Sequence, residues 1–79
     1  MEIVILGTGC PKCRRLEQIA AEAVAEAGVD ATIDHVTEIA RIMSYDILET
    51  PGLVIDGQVV SSGRLPRKDE VVAWLREAR

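Results

Sequence analysis

The residues of this sequence best suited to chemistry are two cysteines, Cys10 and Cys13, which stand in the spacing C-x-x-C. A disulfide between them would close a very short loop, which the chain-entropy relation values at about 2 kcal/mol, against about 3 kcal/mol for a 15-residue loop. Small secreted proteins that depend on disulfides use more cysteines, placed further apart. The pair is therefore a poor structural cross-link, and we interpret it as a chemical site.

Cys10 immediately precedes a predicted helix, at the end that favours negative charge. The unpaired N–H groups and the helix dipole stabilise an anion there by about 0.3–1 kcal/mol, and Lys12, Arg14 and Arg15 add positive charge nearby. We therefore expect the pKa of Cys10 to lie below its usual value of about 8.5. Cys13, one turn further along, is expected to be more buried and to keep a higher pKa. These properties predict thiol–disulfide exchange, in which Cys10 attacks a disulfide and Cys13 resolves the mixed disulfide.

The same thiols allow a second chemistry, because C-x-x-C is also half of a zinc site. The one histidine, His35, falls on a predicted strand away from Cys10. A closed tetrahedral site would therefore need two chains that each contribute Cys10 and Cys13. A metal-binding or metal-delivery module, including a zinc-bridged dimer, is the alternative function. A domain that binds a partner without turnover is a third hypothesis, against which the intact pair of thiols weighs.

Composition limits the class of protein. The 79 residues are 48% hydrophobic, and nine Lys and Arg against thirteen Asp and Glu give a net charge of −4. This length predicts a single domain over residues 1–79 with a real core. The acidic balance argues against bulk nucleic-acid binding, and no apolar run approaches the roughly 20 residues that span a bilayer. The N-terminus shows no secretory signal, so the expected compartment is the cytoplasm.

The first half of the chain predicts a strand, a helix and a strand. Residues 3–6 are continuously aliphatic, which is typical of a central strand buried on both faces. Pro11 suits the first position of a helix, and Gly28 suits its end. Residues 29–36 predict an outer strand, which completes a right-handed βαβ unit. The apolar stripe of the helix comprises Leu16, Ile19, Ala20, Ala23, Val24 and Ala27.

The second half predicts a short helix, a hairpin and a final helix, for an overall order of βαβαββα. Thr37 predicts the N-cap of the short helix. Asp56-Gly57 is a strong type I′ turn signal between strands over 53–55 and 58–60. The predicted inward-facing residues of the short helix are Ile39, Ile42 and Met43. Those of the last helix, roughly residues 67–78, are Val71, Trp74, Leu75 and Ala78.

These motifs resemble those of a known superfamily. The stretch I-V-I-L-G-T-G-C-P-K-C, followed by T-P-G-L-V-I-D-G, is similar to motifs of the thioredoxin/glutaredoxin superfamily, and most of all to its small single-domain redox-active disulfide proteins of prokaryotes. The resemblance covers nearly the whole chain. It implies an α/β thioredoxin-like fold, with a four-stranded mixed sheet in the order 2-1-3-4 flanked by three helices, and no organic cofactor.

The resemblance also implies roles for individual residues. Cys10 matches the nucleophile and Cys13 the resolving thiol. Pro51 matches the cis-proline that faces the disulfide, and Thr50 the residue whose backbone pairs with an extended substrate. The expected substrate-binding residues are therefore Thr50 and Pro51, together with Pro11 and Lys12 between the cysteines.

The implied partners are a protein or small-molecule disulfide and an electron donor, either a reductase or glutathione. The segment Ser61-Ser62-Gly63-Arg64 lacks the acid of the loop that holds glutathione in glutaredoxins, and no tryptophan shortly precedes Cys10 as in thioredoxins proper. The subfamily and the electron donor therefore stay open. No nucleic-acid or membrane partner is expected.

Six of the nine basic residues fall in two short segments. In a thioredoxin-like fold the second segment begins the last helix, near the active-site end, so one hypothesis is a basic rim that attracts anionic partners. The alternative is a set of solvated side chains with partners along the chain. The six residues are Lys12, Arg14, Arg15, Arg64, Arg67 and Lys68.

Overall fold

The computed structural model describes residues 1–78 and shows the predicted order of strands and helices. Among these residues, no helix is long and apolar enough to cross a membrane. The elements are β1 (Glu2–Leu6), α1 (Pro11–Ala27), β2 (Thr32–Val36), α2 (Ile39–Met43), β3 (Gly52–Ile55), β4 (Gln58–Ser62) and α3 (Lys68–Ala78).

The four strands form one mixed sheet in the order β2-β1-β3-β4, which confirms the expected topology. β1 pairs parallel with β2, and β3 pairs antiparallel with both β1 and β4. Asp56 and Gly57 both have positive φ, at 48° and 83°, as a type I′ turn requires. The continuous aliphatic run thus occupies the sheet interior, and its carboxyl end leads directly into the cysteine motif.

The core lies on both faces of this sheet, because successive side chains of a strand point to opposite sides. Ile3 and Ile5 of β1 pack into a cluster with α1 and α3. Val4 and Leu6 pack into a second cluster on the α2 side. β1 is therefore buried on both faces, as its composition predicts, and it connects the cysteine loop directly to the core.

The predicted packing of α2 is wrong at two of three positions. Ile42 is buried, but Ile39 and Met43 are 62% and 64% exposed. A helix of about one and a half turns places few side chains against a sheet, and Ile42 and Ile47 together fill that contact. The helix begins after Glu38 and not after Thr37.

Smaller differences concern the ends of elements and the face of α3. β2 begins at Thr32, later than predicted, and β4 continues to Ser62. On α3, Val72 is buried, whereas Trp74 is only partly buried and Ala78 is exposed. The predicted stripe is thus displaced toward Val72, which tertiary packing selects and periodicity alone does not.

Candidate active site

The junction between β1 and α1 positions Cys10. Its backbone is extended, with φ −67° and ψ 165°, so it occupies the N-cap position of α1, and Pro11 begins the helix. Pro11 and Lys12 are exposed, and Cys10 is partly exposed. Cys13, one turn later, is completely buried. The structure therefore presents one thiol to a partner and holds the other beneath the surface.

The two cysteines are free thiols joined by a hydrogen bond, with 2.6 Å between their Sγ atoms. The hydrogen bond from Cys13 is the largest cause that lowers the pKa of Cys10, and the backbone N–H groups of Cys13 and Lys12 lower that pKa further. The direction agrees with the sequence-based expectation. Its main cause, however, is the neighbouring thiol and not the positive charges of Lys12, Arg14 and Arg15.

Burial acts in the opposite direction on the second thiol. Desolvation is the largest cause that raises the pKa of Cys13, followed by its hydrogen bond to Cys10. The Cys10 charge adds repulsion, which raises the same pKa further. Of the two sulfurs, the exposed one therefore ionises more readily, and it is the sulfur that a disulfide substrate can reach.

Gly7 makes the buried position of Cys13 possible. A Cβ atom at Gly7 would lie 3.0 Å from the Cβ of Cys13 and would collide with its Sγ. The N–H of Gly7 donates a hydrogen bond to the Val36 carbonyl at 3.0 Å, which ties the loop to the end of β2. The sequence alone does not reveal this contact, because it depends on how α1 packs against the loop.

A second loop reaches the same edge of the sheet. The peptide bond between Thr50 and Pro51 is cis. Leu6 pairs with Gly52, so the antiparallel register places the residues just after β1 beside those just before β3. The N–H of Gly63 donates a hydrogen bond to the Pro51 carbonyl at 3.0 Å. Pro51 is buried and Thr50 is exposed. Because of the Leu6–Gly52 pairing, this expected substrate-binding pair borders the cysteine loop.

Next to these loops lies a groove of about 320 Å³, which we call the α2 groove. The sequence analysis missed it, because it assigned Ile39 and Met43 to the core. A short helix followed by the apolar pair Ile47-Leu48 was the available signal. The groove is lined by Thr8, Ile39, Ile42, Met43, Ile47, Leu48, Glu49 and Thr50.

The second basic segment is paired with acidic side chains, which favours the solvated alternative over a basic rim. The Arg64 guanidinium donates two hydrogen bonds to the Glu70 carboxylate, at 3.1 and 2.8 Å. This pair, with the backbone N–H of Arg67, lowers the pKa of Glu70 to about 2. Arg67 also pairs with Asp69 at 3.2 Å, and Lys68 approaches a carboxylate of α1 at 3.3 Å.

The histidine contacts a carboxylate of α1 rather than either thiol. His35 Nδ1 is 3.2 Å from an oxygen of Glu17. Within residues 1–78, no group of three or more His, Cys, Asp or Glu side chains is arranged to hold a metal ion. Cys10 and Cys13 thus bring two ligands from one chain, and neither the structure nor the comparisons below support the metal-binding alternative.

Comparisons with known proteins agree with this geometry. The sequence profile of the family described as thioredoxin domain matches residues 1–76, a range that includes both cysteines and the cis-proline. A thioredoxin of Methanothermobacter thermautotrophicus is 41% identical over 71 residues, which cover 90% of this chain and 92% of that protein. A thioredoxin of Methanocaldococcus jannaschii is 39% identical over 74 residues, which cover 94% of this chain and 85% of that protein.

Proposed function

The chain belongs to the thioredoxin domain family and is a thiol–disulfide oxidoreductase, and from this premise we propose that Cys10 is its nucleophile and Cys13 its resolving thiol. The observation that carries the assignment is the asymmetry of the pair. Cys10 is the accessible sulfur with the lowered pKa, and Cys13 is the buried sulfur with the raised pKa. A thiolate, not a thiol, attacks a disulfide.

In the first step the Cys10 thiolate attacks one sulfur of the substrate disulfide. The substrate S–S bond breaks, a new S–S bond joins Cys10 to the substrate, and the other substrate sulfur leaves as a thiolate. In the second step Cys13, once deprotonated, attacks Cys10 Sγ. The mixed disulfide breaks, the second substrate sulfur leaves, and a Cys10–Cys13 disulfide remains. Two electrons have then passed from the dithiol to the substrate.

The causes of the raised pKa of Cys13 support this order of the two steps. Two causes that raise the pKa of Cys13, the hydrogen bond to Cys10 and the repulsion from its charge, exist while Cys10 is a free thiolate. Both end when Cys10 enters the mixed disulfide, because its sulfur is then neutral and no longer accepts the Cys13 proton. The pKa of Cys13 therefore falls when a resolving thiolate is needed.

The substrate is proposed to contact the two loops beside the thiols. Thr50 is exposed next to Pro51, and Pro11 and Lys12 follow Cys10 at the start of α1. The relatives are thioredoxins, and on that basis we propose a protein disulfide as the substrate and a reductase as the electron donor. We further propose that residues 1–79 act as a single domain in the cytoplasm, where cellular reductants keep such thiols reduced; cell fractionation tests this location.

A redox titration of the purified protein tests the chemistry. The protein is equilibrated with dithiol buffers of increasing oxidising power, its thiols are trapped by alkylation, and the modified residues are counted by mass, with and without zinc. The proposal predicts a reversible two-electron transition without metal, and faster alkylation of Cys10 than of Cys13. Thiols that resist oxidation, with zinc bound at half a mole per chain in a dimer, would contradict it and support the metal-binding alternative.

A further inference from the structure

The α2 groove exposes apolar side chains that the core does not use. Ile39 and Met43 are 62% and 64% exposed, and Leu48 is fully exposed. Single exposed apolar residues are normal in soluble proteins, but adjoining ones that line one groove are typical of an interaction site. The three side chains lie on α2 and on the loop that follows it, so one partner segment can contact all of them.

The groove is continuous with the proposed reaction site. Thr8 lines it two residues before Cys10, and Thr50 lines it directly before Pro51. A polypeptide whose cysteine reaches Cys10 while its backbone runs past Thr50 therefore places a neighbouring side chain at the groove. The groove is thus positioned to contact residues close to the reacting cysteine of a substrate.

Glu49 gives the groove its charge. Its side chain lines the groove and also packs against Gly63, since a Cβ atom on Gly63 would lie 3.2 Å from the Glu49 Cβ. Gly63 is itself held by its hydrogen bond to the Pro51 carbonyl. Within residues 1–78, no Lys, Arg or His side chain forms an ion pair with Glu49. The carboxylate therefore lies exposed beside the proposed reaction site and is available to a cation from a partner.

Charge distinguishes between the possible occupants. A second copy of this chain would bring two Glu49 carboxylates and two chains of net charge −4 together. Glutathione carries two carboxylates and no large apolar side chain, so it fits neither the charge nor the apolar lining. We propose that the α2 groove selects polypeptide disulfides that carry an apolar side chain followed or preceded by a basic one near the reacting cysteine, and that Glu49 is the residue that reads the basic side chain. The inference rests on the proposed function and names its substrate class.

Matched peptide disulfides test this selection. Short disulfide-linked peptide dimers carry leucine-lysine, leucine-glutamate, leucine-glutamine or alanine-lysine beside the cysteine, with the pair placed before it in one set and after it in another. Each is mixed in excess with the reduced protein at low ionic strength, and loss of the protein dithiol is followed by alkylation and mass. In the favoured placement, we expect leucine-lysine to react roughly two- to fivefold faster than leucine-glutamate, the range of an exposed ion pair. Leucine-lysine should react about tenfold faster than alanine-lysine, as expected for burial of extra apolar groups.

Variants then assign each preference to its residue. Glu49→Gln should bring the rates for the lysine and glutamate peptides together, whereas Glu22→Gln, the same change at an exposed carboxylate of α1, should leave them apart. Ile39→Gln with Met43→Gln should reduce the leucine preference, and both positions are exposed enough for the variant to fold.

Three results would overturn the proposal. Equal rates for the lysine and glutamate peptides in both placements would do so, as would a charge preference that survives Glu49→Gln. Dimerisation of the wild-type chain that Leu48→Asp abolishes would assign the groove to a second copy instead. Different results would contradict the proposed function itself. In that case no peptide of any sequence would oxidise the wild-type dithiol, or Cys10→Ser would react as fast as the wild type.

Discussion

Replacement of Gly7 by alanine tests how the fold holds the resolving thiol. Gly7 is buried and its φ is not positive, so alanine causes no backbone strain and the effect is purely steric. The added methyl group collides with the Cys13 Sγ and lies 3.0 Å from its Cβ. Cys13 must therefore move, and the hydrogen bond from its thiol to Cys10 lengthens. Because that bond is the largest cause lowering the pKa of Cys10, the pKa of Cys10 should rise.

The effect on stability follows from packing. Overpacking a filled site costs about 1–3 kcal/mol, and the lower entropy of unfolded alanine offsets about 0.4–1 kcal/mol of this. We expect Gly7→Ala to lower the free energy of unfolding by roughly 1–2 kcal/mol. Urea unfolding of the reduced protein measures this change, and the ultraviolet absorbance of the thiolate, followed against pH, measures the pKa of Cys10.

Two further variants separate the steric cause from others. Gly28→Ala places alanine at a φ of 68° with no atom within 4 Å of its Cβ, so it should cost about 1–2 kcal/mol by backbone strain and leave the pKa of Cys10 unchanged. Gly7→Ala combined with Cys13→Ala removes the colliding sulfur, so alanine at position 7 should cost less there than in the wild type. If Gly7→Ala matches the wild type in stability and in the pKa of Cys10, the steric account is refuted.

Three other predictions concern pH and packing. The pKa of Cys10 is lower in the folded protein than its ordinary value, so its ionisation contributes stability that is present above about pH 8.5 and lost as pH falls through the folded pKa. The difference in the free energy of unfolding between the reduced wild type and Cys10→Ser, measured in urea, should therefore decrease as the pH is lowered. Glu70, with a pKa of about 2, contributes stability that is present above its ordinary pKa and lost as pH falls toward 2. Glu70→Gln should therefore lower the midpoint of thermal unfolding at neutral pH, whereas in acid its midpoint should approach that of the wild type. An equal difference in midpoint at both pH values would contradict the Arg64–Glu70 interaction. Leu75→Ala, at a completely buried position, should lower the free energy of unfolding in urea by about 2–5 kcal/mol. Leu48→Ala, at a fully exposed position, should lower it by less than about 0.5 kcal/mol. Similar losses for the two variants would contradict the assigned core.

The features predicted correctly from the sequence are those that local patterns and the family resemblance determine. The aliphatic run at 3–6, Pro11 at the start of α1 and Gly28 at its end produced the strand and helix that carry the thiols. The higher burial of Cys13 follows from its position one turn into an amphipathic helix. The cis bond at Pro51 came only from the resemblance, because few X–Pro bonds in folded proteins are cis.

The features that sequence reasoning missed depend on how side chains pack once the elements have folded, which residue type and spacing do not determine. Ile39 and Met43 have the composition of core residues, but a helix as short as α2 leaves them outside once Ile42 and Ile47 fill the contact. The sequence left two interpretations of the second basic segment open, a basic rim or side chains with partners along the chain, and the Arg64–Glu70 pair favours the second. The lowered pKa of Cys10 was predicted in direction, but its largest cause required the position of the Cys13 thiol.

Trapping of the mixed disulfide tests the central claim most directly, namely that Cys10 attacks and Cys13 resolves. Reduced Cys13→Ser and Cys10→Ser proteins are each mixed with the same peptide disulfide and quenched in acid. The mass of each intact protein is then measured by mass spectrometry. The account predicts that Cys13→Ser accumulates one peptide in disulfide linkage to Cys10, whereas Cys10→Ser stays unmodified over the same time. Faster adduct formation by Cys10→Ser would show that Cys13 is the attacking thiol and would contradict the account.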